Sequence, residues 1–343
     1  MHVVSSLDIG GINSLIVDIC NELNNQHSFY IGVYQGDVTK RKIPNLSSNI
    51  KIVGFNTINE YISIVNQYKI EIVHFHIMLK SGIFEFLTKL RTKAKTVCHS
   101  HSSTDFRTDF IYLKIYKPLS KFLIKYFTDC KIACSDVAGQ YLYKRNYIVL
   151  YNAIDTDKFN FNEEYRNCVR DKYKINSFTF GFVGHIHSIK NLEFICSVLN
   201  DIYKIIKFNF LIVGDYTESK ALYDRINEYD FVTITGMVED SYKYYSAFDC
   251  FLLPSISEGM PLVAVEAQAN GLDVYLSDVI TQQVNVDNHC HYLKLNDYNI
   301  WEDALLSVLQ SNQRSNLNYC TNSQFDISLY CKKLNDLYNH LSK

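Results

Sequence analysis

Residues 249–271, DCFLLPSISEGMPLVAVEAQANG, contain an apolar strand, a short loop and the start of a helix. The run Asp249–Leu253 is apolar after its first residue, which predicts a buried strand. The following helix is predicted to begin near Pro261, because proline is tolerated in a first helical turn. A buried strand that leads directly into a loop and a helix is the repeating unit of parallel α/β sheets.

The loop between that strand and that helix is suited to an anion. Gly259 has no side chain, so backbone N–H groups beside it can approach a ligand closely. The helix N-terminus adds N–H donors and a positive dipole end, which suit a diphosphate. Glu266 lies within the first two helical turns, where its carboxylate can accept two hydrogen bonds from a ribose diol. The alternative is a glutamate that only complements the helix dipole.

Short apolar strands alternate with helix-period segments along the whole chain, in two series. The first series predicts strands at residues 2–6, 29–34, 70–75, 95–98, 130–134 and 147–150. The second series predicts strands at residues 178–183, 208–213, 231–235, 250–253, 273–276 and 291–294. Such patterns indicate parallel sheets covered on both faces, so we expect an α/β protein with two Rossmann-like, doubly wound domains.

The length of 343 residues also favours two domains, since it exceeds what one core usually serves. We predict an N-terminal domain over residues 1–158 and a C-terminal domain over 159–326, with the polar stretch 160–176 as the linker. A last helix at about 327–341 either caps the C-terminal domain or returns to the first domain, and we assign 327–343 to the first. Ligands of such sheets bind beyond the carboxyl ends of the strands, so two facing domains would hold a ligand in a central cleft.

Composition excludes several classes of protein. The chain is 47% hydrophobic and 20% charged with a net charge of −2, which is typical of a globular protein without general affinity for nucleic acid. Its ten cysteines include no C-x-x-C pair, which favours buried, reduced thiols over a zinc site. A signal-peptide layout and a run of about 18 apolar residues are both missing, so we expect a cytoplasmic protein.

Five segments of the chain carry a family resemblance. Glu258 and Glu266 are spaced as E-x7-E within SEGMPLVAVEAQANGL. The other segments, in chain order, are DIGGINSLIVDICNEL (8–23), LYNAIDTDKF (150–159), FVGHIHSIKN (182–191) and the final helix. Together they resemble the retaining GT-B glycosyltransferases of the family-four type, which include bacterial capsular and exopolysaccharide enzymes. The resemblance covers essentially the whole chain and implies two Rossmann-like domains that face a central cleft.

The resemblance implies roles for individual residues. Glu258 would contact the donor sugar, Glu266 would hold the ribose of the nucleotide, and Lys190 with nearby N–H groups would neutralise the departing diphosphate. The implied donor-binding set is Gly10, Gly11, His185, Lys190, Gly259, Met260, Pro261, Leu262, Val263 and Glu266. His185 stands where the family usually has an arginine. Either it contacts phosphate as a weaker donor, or His187 contributes, or Lys190 acts alone.

Histidines end two predicted strands of the first domain. His99 and His101 follow the strand at 95–98, and His99 matches a family position near the donor sugar and acceptor, so we assign it a catalytic role beside Glu258. His74 and His76 end the preceding strand in the same layer, and His101 and His76 are candidates for acceptor or sugar contact. A structural role is the alternative for each histidine, above all for His74.

Two further patterns have a functional and a structural interpretation. Asp155 and Asp157 form a D-x-D, but they fall in the interdomain connection, where the family has similar residues without a metal, so we expect neither metal nor cofactor. Residues 112–127 carry four lysines at helical spacing among apolar and aromatic residues. This helix is either a core-facing helix with a solvated edge or a peripheral contact with an anionic membrane.

The resemblance therefore implies a metal-independent hexosyltransferase that retains the donor's anomeric configuration. It would move a sugar from a nucleotide-sugar, with UDP expected, to a growing, lipid-linked surface polysaccharide at the inner face of the cytoplasmic membrane. The alternatives are a sugar-nucleotide 2-epimerase of the same fold and a catalytically weak nucleotide-sugar-binding subunit. The 2-epimerase would need additional acid–base carboxylates.

Overall fold

The chain forms two α/β units, each built on its own parallel sheet. The first unit comprises Met1–Ala153 and Ile327–Lys343, and the second comprises Ile154–Asp326. The computed structural model describes residues 1–7, 11–35, 46–102, 112–286, 288–295, 297–311 and 313–343. The predicted fold class of two doubly wound parallel-sheet domains is confirmed, and the division falls after Ala153, where the sequence prediction has it after residue 158.

The described residues of the first unit form seven parallel strands in the order β3-β2-β1-β4-β5-β6-β7. The strands are β1 (His2–Val4), β2 (Tyr30–Tyr34), β3 (Lys51–Phe55), β4 (Ile72–Phe75), β5 (Lys95–Ser100), β6 (Cys130–Ala133) and β7 (Ile148–Val149). The helices are α1 (Gly11–Glu22), α2 (Ile58–Gln67), α3 (Ser81–Arg91), α4 (Lys117–Phe127), α5 (Asp136–Leu142) and the last helix of the chain, α12 (Ile327–Leu341). The sequence prediction missed β3, an edge strand whose Lys51 and Gly54 are exposed.

Helices α1 and α12 cover one face of the first sheet together. Ile16 and Ile19 of α1 join Tyr330, Leu334 and Tyr338 of α12 in one buried cluster. The last helix therefore completes the core of the first unit, which resolves the alternative that the sequence left open. Burying large apolar side chains stabilises the fold by about 1.5–3 kcal/mol each, so α12 is a structural part of this unit.

In the second unit, the residues that the structure describes form six parallel strands in the order β10-β9-β8-β11-β12-β13. The strands are β8 (Thr179–Val183), β9 (Asn209–Val213), β10 (Val232–Ile234), β11 (Cys250–Leu253), β12 (Val274–Ser277) and β13 (Cys290–Leu293). The helices are α6 (Glu163–Lys172), α7 (Leu192–Tyr203), α8 (Lys220–Ile226), α9 (Ser241–Tyr245), α10 (Leu262–Ala269) and α11 (Tyr298–Ser311). The strand order reverses between β8 and β11, and ligands of such sheets bind beyond the strand ends at this switch point.

The polar stretch 160–176 is not a linker, as the sequence suggested, but contains helix α6 of the second unit. Two arginines of α6 reach the buried carboxylate of Asp249: Arg166 lies 2.6 Å from Oδ1 and Arg170 lies 3.4 Å from Oδ2. The hydrophilic composition therefore reflects charges that serve a buried acid at the start of β11. Pairing is the usual condition for burying such a charge.

Two other expectations concern the whole chain. Eight of the ten cysteines are buried as predicted, whereas Cys168 is exposed and Cys130 is half-buried. Within the part of the chain that the structure describes, no helix is both long enough and apolar enough to cross a bilayer.

Candidate functional site

The loops that follow β8 and β11 meet at the switch point of the second sheet. The backbone N–H of Ile256, after β11, donates to the carbonyl of Ile189, after β8, at 2.8 Å. The β8 loop ends at Asn191, whose φ of 55° is in the left-handed region and which starts α7. This hydrogen bond fixes the two loops that carry Lys190 and Glu258 against each other.

Lys190 and Glu258 form an ion pair within these loops. Lys190 Nζ lies 2.6 Å from Glu258 Oε1, and the two side chains are only 21% and 12% exposed. Ser255 Oγ donates to the same carboxylate oxygen at 2.7 Å. An ammonium group has three donors, so the pair leaves Lys190 with donors for a phosphate. Glu258 Oε2 likewise stays available as an acceptor for hydroxyl groups.

A close approach of two glycines shapes the carboxyl edge beside this pair. Gly184 follows β8 and Gly214 follows β9, with φ values of 149° and 157°. A Cβ atom added to Gly214 would lie 1.8 Å from the carbonyl oxygen of Gly184. Only glycine fits at residue 214, because any side chain there would push away the loop that leads to Lys190.

The N-terminus of α10 lies at the end of the Glu258 loop. Pro261 is the N-cap residue, and its side chain makes no capping hydrogen bond. A Cβ atom added to Gly259 would meet nothing within 4 Å, so this side of the loop is open to a ligand. Met260, Leu262 and Val263 are half-buried around it. The first N–H groups of a helix have no partners within the helix, which makes this end an anion-binding element.

Glu266 is the fifth residue of α10 and is held by a tyrosine. The hydroxyl of Tyr245 donates to Glu266 Oε2 at 2.5 Å. Tyr245 is fully buried, and burial together with the Glu266 charge raises its pKa well above the usual value of 10. The hydroxyl therefore stays protonated and fixes the orientation of the carboxylate.

The two histidines of the β8 loop are both exposed. His187 accepts a hydrogen bond from the backbone N–H of Ile189 at 3.3 Å and so caps the turn Ser188–Lys190. His185 lies close enough to Asp215 to help lower the pKa of that carboxyl, although hydrogen bonds from Thr217 contribute more.

In the first unit, Gly11 is the first residue of α1, while Gly10 lies outside the described residues.

Asp155 and Asp157, both in the second unit, accept local hydrogen bonds from Lys158 N at 3.2 Å and Asn160 Nδ2 at 3.4 Å, respectively. These bonds assign the D-x-D pair to a turn.

Five histidines line one face of the first sheet, from the start of β1 to the residues that follow β4 and β5. They are His2 on β1, His74 on β4, His76 just after it, His99 on β5 and His101 just after it. A chain of hydrogen bonds joins four of them to Tyr338 and Asn152. At one end of the chain, Tyr338 OH lies 2.7 Å from His74 Nδ1 and 3.3 Å from His2 Nε2. His2 Nδ1 lies 3.0 Å from His76 Nε2, and His76 Nδ1 lies 2.8 Å from His101 Nε2. At the other end, His101 Nδ1 lies 3.1 Å from Asn152 Oδ1.

Burial keeps these imidazoles neutral. Desolvation is the main cause that lowers the pKa of His101 to about 4 and holds the pKa well below 6.5 for His2, His74, His76 and His99. His99 is fully buried, and neither of its ring nitrogens has a hydrogen-bond partner within the described residues. The rings of His99 and His101 lie 3.9 Å apart. Among the described residues, the candidate catalytic histidine is therefore the member of the cluster with both ring nitrogens unpaired.

The helix predicted at 112–127 consists of a π-helical turn, Tyr112–Tyr116, followed by α4. Its buried side carries Ser120 and Ile124. Its outward side carries a stripe of large apolar residues, each about half exposed or more: Ile115 (59%), Leu119 (49%), Phe122 (55%) and Tyr126 (60%). The helix therefore faces the core through Ser120 and Ile124, as one of the two sequence interpretations has it, whereas the four apolar residues of the stripe are exposed.

Several residues of these groups were not found from the sequence. Ser255 lies inside the quoted motif and could have been suspected from its position. Tyr245 and Tyr338 reach their partners across 21 and 264 residues of chain, and no local pattern predicts such pairings. His2 could have been grouped with the other histidines, because it opens the strand next to β4.

Two family models match successive parts of the chain. The model described as Glycosyltransferase Family 4 matches residues 9–158, and the model described as Glycosyl transferases group 1 matches residues 177–311. EpsF of Bacillus subtilis is 24% identical over 83% of this chain and 80% of its own length. The capsular polysaccharide biosynthesis glycosyltransferase CapH of Staphylococcus aureus is 22% identical over 98% of both chains. An Escherichia coli UDP-Gal:α-D-GlcNAc-diphosphoundecaprenol α-1,3-galactosyltransferase is 26% identical over 86% of this chain and 82% of its own length.

Solved structures agree with these matches over the full chain. A glycosyltransferase from Rickettsia africae superposes with a TM-score of 0.80 at 17% identity and covers 100% of this chain and 98% of its own. HepE of Anabaena, solved in complex with UDP, superposes with a TM-score of 0.79 at 14% identity and covers 99% of each chain. The chain therefore belongs to the glycosyltransferases of GT-B fold that combine a family-four N-terminal domain with a group-one C-terminal domain.

Proposed function

We propose that the protein is a retaining hexosyltransferase that moves a sugar from a UDP-sugar to a growing, lipid-linked surface polysaccharide without a catalytic metal. The main support is the arrangement at the switch point of the second sheet. There Lys190, Glu258 and the N-terminus of α10 belong to two loops that are joined by a hydrogen bond. This group combines one fixed cation, backbone donors and one carboxylate. These are the parts needed to hold a diphosphate and to orient the sugar attached to it.

The donor diphosphate would bind between Lys190 and the N-terminus of α10. Cleavage of the glycosyl–phosphate bond builds negative charge on the departing phosphate, and preorganised donors stabilise that charge most effectively. Glu258 would accept hydrogen bonds from hydroxyls of the donor sugar, since Ser255 and Lys190 fix its Oε1 and leave Oε2. The Lys190 ammonium supplies the positive charge that a divalent cation supplies in metal-dependent transferases.

The nucleotide would be recognised through its ribose by Glu266. The carboxylate is oriented by Tyr245 and can accept two hydrogen bonds from the 2′ and 3′ hydroxyls. UDP is the proposed nucleotide because HepE, which shares the fold over nearly the whole chain, was solved with UDP.

Retention requires the acceptor to attack on the face from which the diphosphate leaves. The acceptor oxygen forms a bond to the anomeric carbon as the bond to the phosphate oxygen breaks, and the acceptor proton passes to the departing diphosphate. The phosphate thus serves as the base, so no separate protein nucleophile is needed. His99, assigned to the sugar and acceptor side, would donate a hydrogen bond to a sugar hydroxyl and would not transfer a proton.

The outward apolar stripe of residues 115–126 supports a membrane-bound acceptor. Lys114 and Lys125 are exposed next to this stripe, and Lys117 and Lys121 lie over the ring of Tyr141 at 5.1 and 4.4 Å. A helix with exposed aromatic residues beside lysines suits the interface of an anionic bilayer. The galactosyltransferase relative is named for a diphosphoundecaprenol acceptor, which is a membrane lipid. We therefore propose that the protein acts at the inner face of the cytoplasmic membrane.

The test is a panel of nucleotide-sugars offered with diphosphoundecaprenol-linked acceptors in vesicles. Release of nucleoside diphosphate and glycan extension should occur together with one UDP-sugar, and the anomeric linkage of the product should match that of the donor. Lys190→Gln should lose turnover, whereas Lys204→Gln, an exposed lysine at the end of α7, should keep it. Binding of UDP-sugars without turnover would contradict the proposal and favour the nucleotide-sugar-binding subunit.

A further inference from the structure

Three of the five clustered histidines bring their ring nitrogens together. One nitrogen each from His76, His99 and His101 lies within 4.8 Å of the other two. Neutral imidazole is the ligand form that binds zinc and its neighbours in the transition series, and three histidines with an open fourth position are a known zinc arrangement. We propose that His76, His99 and His101 form a binding site for one divalent transition-metal ion, with Zn²⁺ as the best-matched ion.

The outer nitrogens of two proposed ligands already have the partners that metal-bound histidines need. Such histidines donate their second ring N–H to an acceptor, which fixes the tautomer and the ring orientation. His101 Nδ1 lies 3.1 Å from Asn152 Oδ1, and His76 Nε2 lies 3.0 Å from His2 Nδ1. The nitrogens that face inward, His76 Nδ1 and His101 Nε2, are 2.8 Å apart. Both rings therefore present one nitrogen each to the same point.

A single proton separates these two inward nitrogens. Because Asn152 Oδ1 can only accept, His101 carries its proton on Nδ1 and presents a lone pair at Nε2. His76 then donates its Nδ1 proton to the lone pair on His101 Nε2. A metal ion bound to both lone pairs would replace this proton, and tetrahedral bonds of about 2.0–2.1 Å would hold the two nitrogens about 3.3 Å apart.

Removing that proton changes the rest of the hydrogen-bonded chain in a defined way. His76 moves its proton to Nε2, so His2 must accept at Nδ1 and carry its own proton on Nε2. Tyr338 then accepts from His2 and turns its hydroxyl proton toward His74 Nδ1, and His74 carries its proton on Nε2. Each ring stays neutral, and three tautomers change together.

His99 is the third ligand because nothing else in the described residues uses its nitrogens. Both are buried without a hydrogen-bond partner, and leaving one buried polar group unpaired costs about 1–3 kcal/mol. A metal bond would satisfy one of these two nitrogens. The group His2, His74 and His76 is also compact, but all three residues are buried, and its third member, His74, already uses Nδ1 in a hydrogen bond with Tyr338. Half-buried His101 gives the chosen site a route from solvent.

The experiment uses the full chain, stripped of metal by a chelator and titrated with Co²⁺ and then Zn²⁺. We expect one equivalent of Co²⁺ to give the visible absorption of a tetrahedral site and Zn²⁺ to abolish it. His99→Gln and His101→Gln should lose the band, Asn152→Leu should weaken binding by about 10–100-fold, and His340→Gln, an exposed histidine on α12, should match wild type. A wild-type protein without the band, or a band that persists in both His99→Gln and His101→Gln, would overturn the proposal.

A second measurement uses the wild-type protein alone, so it does not require any variant to fold. Nitrogen-15 spectra of histidine side chains should show His2, His74 and His76 with protons on Nδ1 in the metal-free protein and on Nε2 after Zn²⁺ is added. Unchanged tautomers at saturating Zn²⁺ would also overturn the site. UDP binding by the same samples reports on the donor group separately, so a failed metal site and a failed transferase are distinguishable.

Discussion

Replacing Glu266 tests the ribose contact, and the structure sets the size of the effect. Two charge-assisted hydrogen bonds to a ribose contribute roughly 1.5–3 kcal/mol each, so Glu266→Ala should weaken UDP binding by about 10²–10⁴-fold. The same change leaves the hydroxyl of fully buried Tyr245 without its acceptor at 2.5 Å. That loss should lower the free energy of unfolding by about 1–3 kcal/mol. Affinity and stability therefore fall together in Glu266→Ala, and a second variant is needed to separate them.

Glu266→Gln keeps an acceptor for Tyr245 but removes the charge, so it should lose most of the UDP affinity at little cost in stability. Calorimetric titration with UDP and with its 2′-deoxy analogue isolates the ribose contact. Wild type should bind the deoxy analogue more weakly than UDP, whereas Glu266→Ala should bind the two alike. Tyr245→Phe, the matched control, should change UDP affinity by less than about tenfold. Unchanged UDP affinity in Glu266→Ala, or a preference for UDP that persists in it, would refute the reasoning.

Three further predictions address metal, membrane and pH. Transfer should survive EDTA, because Lys190 supplies the positive charge at the diphosphate; activity lost in EDTA and restored by Mg²⁺ or Mn²⁺ would contradict this. Changing Lys114 and Lys125 together to Gln should lower binding to anionic vesicles by about 30-fold at low salt, at about 1 kcal/mol per lysine, and the difference should shrink as salt rises. Changing the exposed Lys332 and Lys333 of α12 together should leave sedimentation unchanged, and equal sedimentation of both variants and wild type would make α4 an ordinary solvated helix. Burial raises the pKa of Glu85 from 4.5 to about 7, so the folded state retains a proton that the unfolded state loses between these pH values. The free energy of unfolding of wild type should therefore fall by about 3 kcal/mol relative to that of Glu85→Gln as the pH rises from 4.5 to 7. Urea unfolding at several pH values measures both proteins, and an equal change with pH in the two would contradict the raised pKa.

The fold was largely predictable because the central strands are buried on both faces. All residues of β8 and β11 are buried, and such strands appear in the sequence as nearly continuous apolar runs. β3 was missed because an edge strand buries little and needs no such run. The segment 160–176 was misassigned because its charges suggested solvent, whereas two of its arginines neutralise buried Asp249.

Residue spacing predicted the candidate site only where its residues are close in sequence, and the family resemblance added Lys190 from a distant loop. Glu258, Gly259 and Glu266 lie on one strand–loop–helix unit, so spacing alone groups them. The partners that orient these residues come from other elements: Lys190 from the loop after β8 and Tyr245 from α9. The exposure of the apolar stripe over residues 115–126 could not be predicted for a related reason, since helical periodicity identifies an apolar side but not whether the fold covers it.

The position of α12 has a consequence for how the protein is made. The first unit needs residues 327–343 for its core, so its sheet face stays uncovered on the ribosome while the whole second unit is synthesised. At about 5–20 residues per second, the roughly 170 intervening residues take on the order of ten to thirty seconds. During this interval the second unit, which is contiguous in the chain, can fold first. The N-terminal half, with Ile16 and Ile19 still exposed to solvent, is then the part that a chaperone must shield from aggregation.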